Sequence, residues 1–167
     1  MQVIENGARV RMELELEWRG PYGLNIETPS CMQGLHGLFA NLYDSEIIYI
    51  GRSSGKYYLF QESKYRYRSL KRGLIRLGVL KGPLEPIDQN EMARIAEDHC
   101  KKYVGILWDE SKLQYLKDAE NLMIFKIKPK GNDTLKSRYR GITLFKLINR
   151  GVALTSLGLK DYEILPE

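Results

Sequence analysis

The chain has 167 residues, of which 43% are hydrophobic and 28% charged, with a formal net charge of +5. That length suits one domain with a modest core, and that balance is too apolar for a disordered chain. Apolar runs stop after a handful of residues, as at Ile47-Ile48-Tyr49-Ile50, and residues 1–10 carry Glu5 and Arg9, so neither a bilayer span of roughly 20 residues nor a signal peptide is expected and the expected compartment is the cytoplasm.

Residues 9–18 set Val10, Met12, Leu14, Leu16 and Trp18 against Arg and Glu, the two-residue period of a half-buried strand. Gly20-Pro21-Tyr22-Gly23 reads as a turn. Residues 37–43 and 46–50 read as two strands joined by Asp44-Ser45. Their β-branched and aromatic content and the short connection predict an antiparallel hairpin. Tyr67, Leu70, Leu74 and Leu77 recur at helical steps and predict a helix across residues 63–77. Gly78, Gly82, Pro83 and Pro86 then form a loop. A helix from Asp88 or Asn90 to about Lys102, a strand over 103–108, and a helix through about Ile124 follow. Ser111 and Gln114 supply a capping box for that last helix. Pro129 to Asn132 breaks the chain, residues 142–148 read as a final strand, and the tail beyond is indistinct.

Cys31 and Cys100 lie far apart, and with two histidines, His36 and His99, the soft-ligand inventory is too thin for a zinc site. Both cysteines read as core or incidental residues. Charge is unevenly spread. Residues 52–82 hold nine Lys or Arg against Glu62, and residues 126–150 hold eight against Asp133. The intervening residues 85–120 hold nine acids and five bases. Two basic segments flanking an acidic one suit a protein that grips phosphates with two surfaces, and equally a solvated basic face.

The hairpin opens on Gly37-Leu38-Phe39 and closes on Tyr49-Ile50-Gly51, with nine residues between Phe39 and Tyr49. Arg52 follows at once, an arginine-rich helix comes next, and later the chain reads Glu120-Asn121-Leu122-Met123-Ile124 and Pro129-Lys130-Gly131-Asn132. In this order the motifs resemble the GIY-YIG nuclease family across roughly residues 37–132. The resemblance implies an α+β domain, a small central antiparallel sheet flanked by helices, with an added N-terminal strand. It divides the single domain into an extension over 1–30, a core over 31–135 and a second extension over 136–167. It implies hydrolysis of phosphodiester bonds in nucleic acid, with DNA the expected substrate and Mg²⁺ or Mn²⁺ the cofactor.

The same resemblance gives each matched residue a task. Glu120 holds the metal, a hard ion that prefers oxygen ligands. Arg66 is the preferred helix arginine, because it precedes Tyr67 and a guanidinium forks onto phosphate oxygens. Arg68 is its runner-up. Tyr49 orients the water or the phosphate, Arg52 assists it electrostatically, and Asn132 holds a turn or contacts nucleic acid. Lys64, Arg68, Lys71 and Arg72 are expected to bind the nucleic-acid backbone.

One position departs from the family pattern. Phe39 stands where the first strand usually carries tyrosine, and it has no group that can take a proton from water. His36 is one replacement base of apt chemistry, and metal-bound water acidic enough without a dedicated side chain is another route. Tyr43, Tyr57, Tyr58, Tyr65 and Tyr67 crowd the same region, and four of them interleave with Lys56, Lys64, Arg66 and Arg68, a mixture that suits stacking on unpaired bases. The alternative is a catalytically silent nucleic-acid-binding module on the same fold. Oligomeric state is not legible.

Overall fold

The structure, a computed structural model, describes residues 3–5, 8–10, 12–24, 26, 28–54, 59, 67–81, 83, 88–133, 139, 145–152 and 156–164. It is an α+β protein built on a six-stranded mixed sheet. The strands are β3 (Met12–Tyr22), β4 (Gly37–Tyr43), β5 (Glu46–Ser53), β6 (Cys100–Ile106), β7 (Phe145–Gly151) and β8 (Tyr162–Ile164), in the order β5-β4-β6-β3-β7-β8. Two short strands, β1 (Val3–Glu5) and β2 (Ala8–Val10), pair with each other in a separate two-stranded sheet. The helices are α1 (Tyr67–Arg76), α2 (Gln89–His99) and α3 (Leu116–Ile127), the last preceded by a 3-10 turn over Glu110–Tyr115.

The expected hairpin forms. Residues 37–43 pair antiparallel with residues 46–53, and Asp44 takes φ 52° in the turn, a left-handed conformation that Asp and Asn tolerate better than most residues. The sheet is larger than expected and not purely antiparallel, because β3 runs parallel to β7 while pairing antiparallel with β6. The N-terminal strand is therefore not an addition at the margin but an inner strand. Leu14, Leu16 and Trp18 are buried on one of its faces, and Trp18 Nε1 donates to Asn149 Oδ1 on β7 at 2.7 Å. The anticipated turn at residues 20–23 is in part still strand. β3 continues to Tyr22 with an irregular register after Arg19 and a cis Gly20–Pro21 bond.

Apolar side chains alternate along the strands and feed two faces. On one, α3 lays Leu116, Ala119, Leu122, Met123 and Ile124 against Leu14, Leu16, Trp18, Leu38, Ala40, Ile50 and Phe145. On the other, Phe39, Val104 and Ile106 pack with Met32 and Leu59. Each fully buried aliphatic or aromatic side chain contributes about 1.5–3 kcal/mol, so α3 is anchored by its stripe rather than by propensity. A third cluster joins Ile48 to Leu70 and Leu74 of α1 and to Met92 and Ala96 of α2.

Helix boundaries move where a stronger local bond competes. α2 ends at His99 rather than near Lys102, because Cys100, Lys101 and Lys102 enter the ladder beside Tyr43, Leu42 and Asn41. Its start is as expected, with the Asp88 side chain accepting from the backbone N–H groups of Asn90 and Glu91. Ser111 does not cap α3. Asp109 instead accepts from the Ser111 backbone and hydroxyl, and the capped segment is the 3-10 turn, with the α-helix starting at Leu116. The last strand begins at Phe145 within the described residues, and the indistinct tail contains β8.

Cys100 is buried, and desolvation, with a smaller contribution from Asp44, pushes its thiol up to about 12. Cys31 is exposed. Because the thiolate is the nucleophile, a chromogenic disulfide reagent at pH 8 is expected to titrate one thiol per native chain and two after denaturation. Rapid titration of both in the native protein would contradict this burial.

Candidate active site

Three features expected from the sequence converge on β5, the edge strand of the sheet. The first is Glu120. On α3, Leu116, Glu120 and Ile124 form one i, i+4 row, and both flanking residues are buried. The sequence thus inserts a carboxylate into an otherwise apolar row, leaving its side chain 15% exposed. Such a charge needs a partner. Arg52 provides it, with Nη1 2.9 Å from Glu120 Oε1, while its Nε donates to Ser54 Oγ at 3.1 Å.

Arg52 reaches that position through strand register. It lies opposite Leu38, and Leu38 belongs to the face covered by α3. Beside the ion pair lies a depression of about 430 Å³ lined by Arg52, Ser54, Glu110, Ser111, Gln114 and Lys117 among others. His36 belongs to the same face. Its carbonyl accepts from Leu107 N, extending the β4 ladder by one residue, and its Nδ1 stands 3.8 Å from Glu110 Oε2.

The Pro129–Asn132 segment is the third feature. The side-chain amide of Asn132 copies a neighbouring strand, Oδ1 accepting from Ile50 N at 3.0 Å and Nδ2 donating to Ile50 O at 2.9 Å. Gly131 N donates to Ile48 O at 2.6 Å. A Cβ on Gly131 would fall 2.3 Å from that same oxygen, so only glycine admits the approach. The turn covers an edge that would otherwise expose unpaired backbone groups. Asn132→Ala removes both amide bonds and strands two buried backbone groups of Ile50, at about 1–3 kcal/mol each when left unsatisfied. The expected outcome is a marked drop in the denaturation midpoint, and retention of wild-type stability would sink this role.

Arg72 and Arg76 also serve the turn. Arg72 donates to Gly131 O at 3.1 Å and pairs with Asp133 at 3.0 Å. Arg76 donates to Lys130 O at 2.7 Å and to Asn132 O at 3.2 Å, and meets the other oxygen of Asp133 at 2.7 Å. Arg72, expected on the phosphate-binding face, is thus committed to tying α1 to the turn. Arg68 is exposed and Lys71 half-buried on the same helix. Lys64 and Arg66, the preferred helix arginine, lie outside the described residues, as do Lys56, Tyr57, Tyr58 and Tyr65.

Tyr49 is not brought to the ion pair by the register. It lies opposite Asn41, two residues along from the Phe39–Gly51 pair, and packs against the cluster of Phe39, Val104 and Ile106. Its ring centroid is 6.0 Å from that of Phe39. Residues three apart on a strand face opposite ways, so Tyr49 and Arg52 address different faces. Phe39 is fully buried, with its ring tip over Gly51.

Among the described residues no group of three or more His, Cys, Asp or Glu side chains is arranged to hold a metal ion. A lone carboxylate still fits Mg²⁺, which keeps several waters and is commonly held by one or two carboxylates plus substrate phosphate. No helix among the described residues is long and apolar enough to cross a membrane. Sequence reasoning missed Ser54, which orients Arg52, and Trp108, which stands half exposed at the end of β6. Only the end of the run over 103–107, with an indole followed by Asp109 and Glu110, signalled the latter. No protein-family model, curated protein or solved structure matches this chain.

Proposed function

We propose that the chain is a divalent-metal-dependent endonuclease of the GIY-YIG type that hydrolyses phosphodiester bonds, with DNA as substrate. The single observation that carries the reading is the partly buried Glu120 held by Arg52 across the hairpin edge. An apolar residue would serve the Leu116/Ile124 row better for packing alone, since buried ion pairs are commonly neutral or costly relative to apolar replacements. The further support is order. Hairpin, basic residue, helix glutamate and Pro-x-x-Asn turn follow one another in sequence, and Asn132 is bonded back to the same strand that carries Arg52.

In this reading Glu120 holds Mg²⁺ or Mn²⁺, which supplies a positive charge for the scissile phosphate and the departing oxygen. Arg52 has two tasks. It holds the Glu120 carboxylate before substrate arrives, and its guanidinium then shares its donors with the phosphate oxygens where charge develops. His36 takes the proton from the attacking water, being the imidazole on the Arg52 face of the sheet. Arg68 and Lys71 contact the backbone outside the bond to be cut.

Incubating the full chain with supercoiled plasmid and Mg²⁺ or Mn²⁺, with and without EDTA and beside Glu120→Ala, tests the assignment. Nicking lost with EDTA and with the substitution supports it. The second reading, a silent nucleic-acid-binding module, is favoured by the fully buried Phe39. It predicts salt-sensitive DNA binding without nicking.

A further inference from the structure

Trp108 is 50% exposed, yet it is held firmly. Its Nε1 donates to Glu17 Oε2 at 2.7 Å, and the other oxygen of Glu17 accepts from Arg19 Nε at 3.0 Å. The Arg19 guanidinium lies 5.4 Å from the indole centroid. The Trp108 bond is the first cause of a lowered Glu17 pKa, with Arg19 adding to it, as befits a carboxylate kept charged by its donors. An exposed indole normally costs solvation without a compensating contact. Here two charged side chains from β3 fix its plane, which reduces the ordering cost of anything that stacks on it.

The ring borders a depression of about 560 Å³ with Glu15, Glu17, Asp109, Lys112 and Arg150, floored in part by Gly151. Arg19 is not among its walls. Gly151 adds no side chain there, and none would fit, since a Cβ would fall 2.5 Å from Trp18 O. Three acids against two bases make the wall close to neutral, unlike a groove that tracks phosphates. What such a site accepts is an uncharged planar group. Glu15 Oε1 and Arg150 Nε are 3.7 Å apart, beyond hydrogen-bond reach, which leaves that carboxylate able to accept from a ligand.

The 3-10 turn Glu110–Tyr115 separates this depression from the one beside Arg52. Lys112 faces the Trp108 side, whereas Glu110, Ser111 and Gln114 face the Arg52 side. We infer that the Trp108 depression is a stacking site for one unpaired nucleobase of the substrate strand, selecting adenine, cytosine or guanine over thymine or uracil. The indole supplies the stacking face. Glu15 accepts from the exocyclic amino group that thymine and uracil lack, since those two bases offer only a ring N3–H flanked by two carbonyl oxygens that a carboxylate repels. Arg150 remains at the rim for an adjoining phosphate, while Lys112 Nζ is tied to Glu13 O at 2.8 Å. The inference rests on the nucleic-acid reading above and names the form of substrate, a strand with at least one base out of the duplex.

The test uses the full chain, tryptophan emission and short single-stranded homopolymers of equal length at fixed salt. Trp18 is buried and bonded to Asn149, so quenching by the homopolymers reports Trp108. Deoxyadenylate and deoxycytidylate homopolymers are expected to quench saturably and to bind about 10-fold more tightly than thymidylate, the scale of one hydrogen bond to a charged group. By competition against a labelled strand, Trp108→Ala should remove that preference, and Trp108→Phe should retain part of it. Equal binding of all homopolymers, or an unchanged preference in Trp108→Ala, overturns the base site. So does the absence of quenching by any of them. A concentration-dependent blue shift without nucleic acid, abolished in Trp108→Ala, overturns it in favour of self-association. Failure of the nuclease reading looks different. The wild type and Glu120→Gln would then be equally inert on plasmid, while the Trp108-dependent base preference persists.

Discussion

Glu120→Gln is expected to lower plasmid nicking by about 100-fold or more, the scale seen when one preorganised electrostatic group is removed from a transition state. Glutamine keeps the length of the side chain and an oxygen that accepts from Arg52, so the helix row shared with Leu116 and Ile124 still packs. It removes the charge that makes a carboxylate a ligand for a hard divalent ion. Stability is expected to change by less than about 1 kcal/mol, because the glutamine oxygen still accepts from Arg52 and a partly buried ion pair is close to neutral against an uncharged replacement. Arg52→Ala is the contrasting change. It strands the partly buried carboxylate in its apolar row, so both stability and nicking fall. DNA affinity in Glu120→Gln should retain its salt dependence, since neutralised phosphates rather than this carboxylate set the slope. Equal nicking by Glu120→Gln and wild type, with purified protein and metal present, would remove Glu120 from the mechanism and the nuclease reading with it.

The pairing that supports this expectation was legible in the sequence only in outline. The hairpin bounds could be read because apolar and aromatic residues run up to Asp44-Ser45 and β-branched ones run away from it, and local signals decide short hairpins. The Leu70/Leu74 stripe was equally legible, and both residues are buried. The parallel pairing of β3 with β7 was not, since those segments lie more than a hundred residues apart and nothing local selects the partner. The cap expected at Ser111 falls instead to Asp109, whose carboxylate captures the serine's own backbone N–H and hydroxyl. The placement of Tyr49 is the instructive case. Its separation of three residues from Arg52 within one strand already implies opposite faces, so the sequence contained the correction. A motif read as a string of letters groups residues that a pleated strand divides. Arg72 shows the complementary limit. Its basic neighbourhood pointed to phosphate, but the deciding partner, Asp133, lies on a turn 61 residues later in a basic segment.

A large stability loss of a different origin is expected from Gly37→Ala, the residue that opens the hairpin motif. A Cβ there would fall 1.8 Å from the carbonyl oxygen of Gly105 and 2.9 Å from its carbon. Those atoms cannot retreat, because β6 is held between β4 and β3, with Gly105 opposite Leu38 on one side and Trp18 on the other. The cost is about 3 kcal/mol, the upper end for overpacking, and lowers the Tm by roughly 6–12 °C in a chain of this size. Gly51→Ala is a milder version of the same change, since its Cβ would fall 2.3 Å from the ring tip of Phe39, and a side chain can be shortened. Phe39→Leu should therefore recover much of the loss in Gly51→Ala and none of it in Gly37→Ala, a coupling that thermal denaturation of the single and double variants measures. If Phe39→Leu rescued both equally, the clash would lie in general crowding rather than in the Gly105 carbonyl. The contrast also separates two kinds of signal within one motif. Gly37 and Gly51 are required by backbone and ring approach, which any protein with this hairpin would need. The Arg52–Glu120 pair answers to no such requirement, because the α3 row packs without it, and that is why the chemical reading rests there rather than on the glycines.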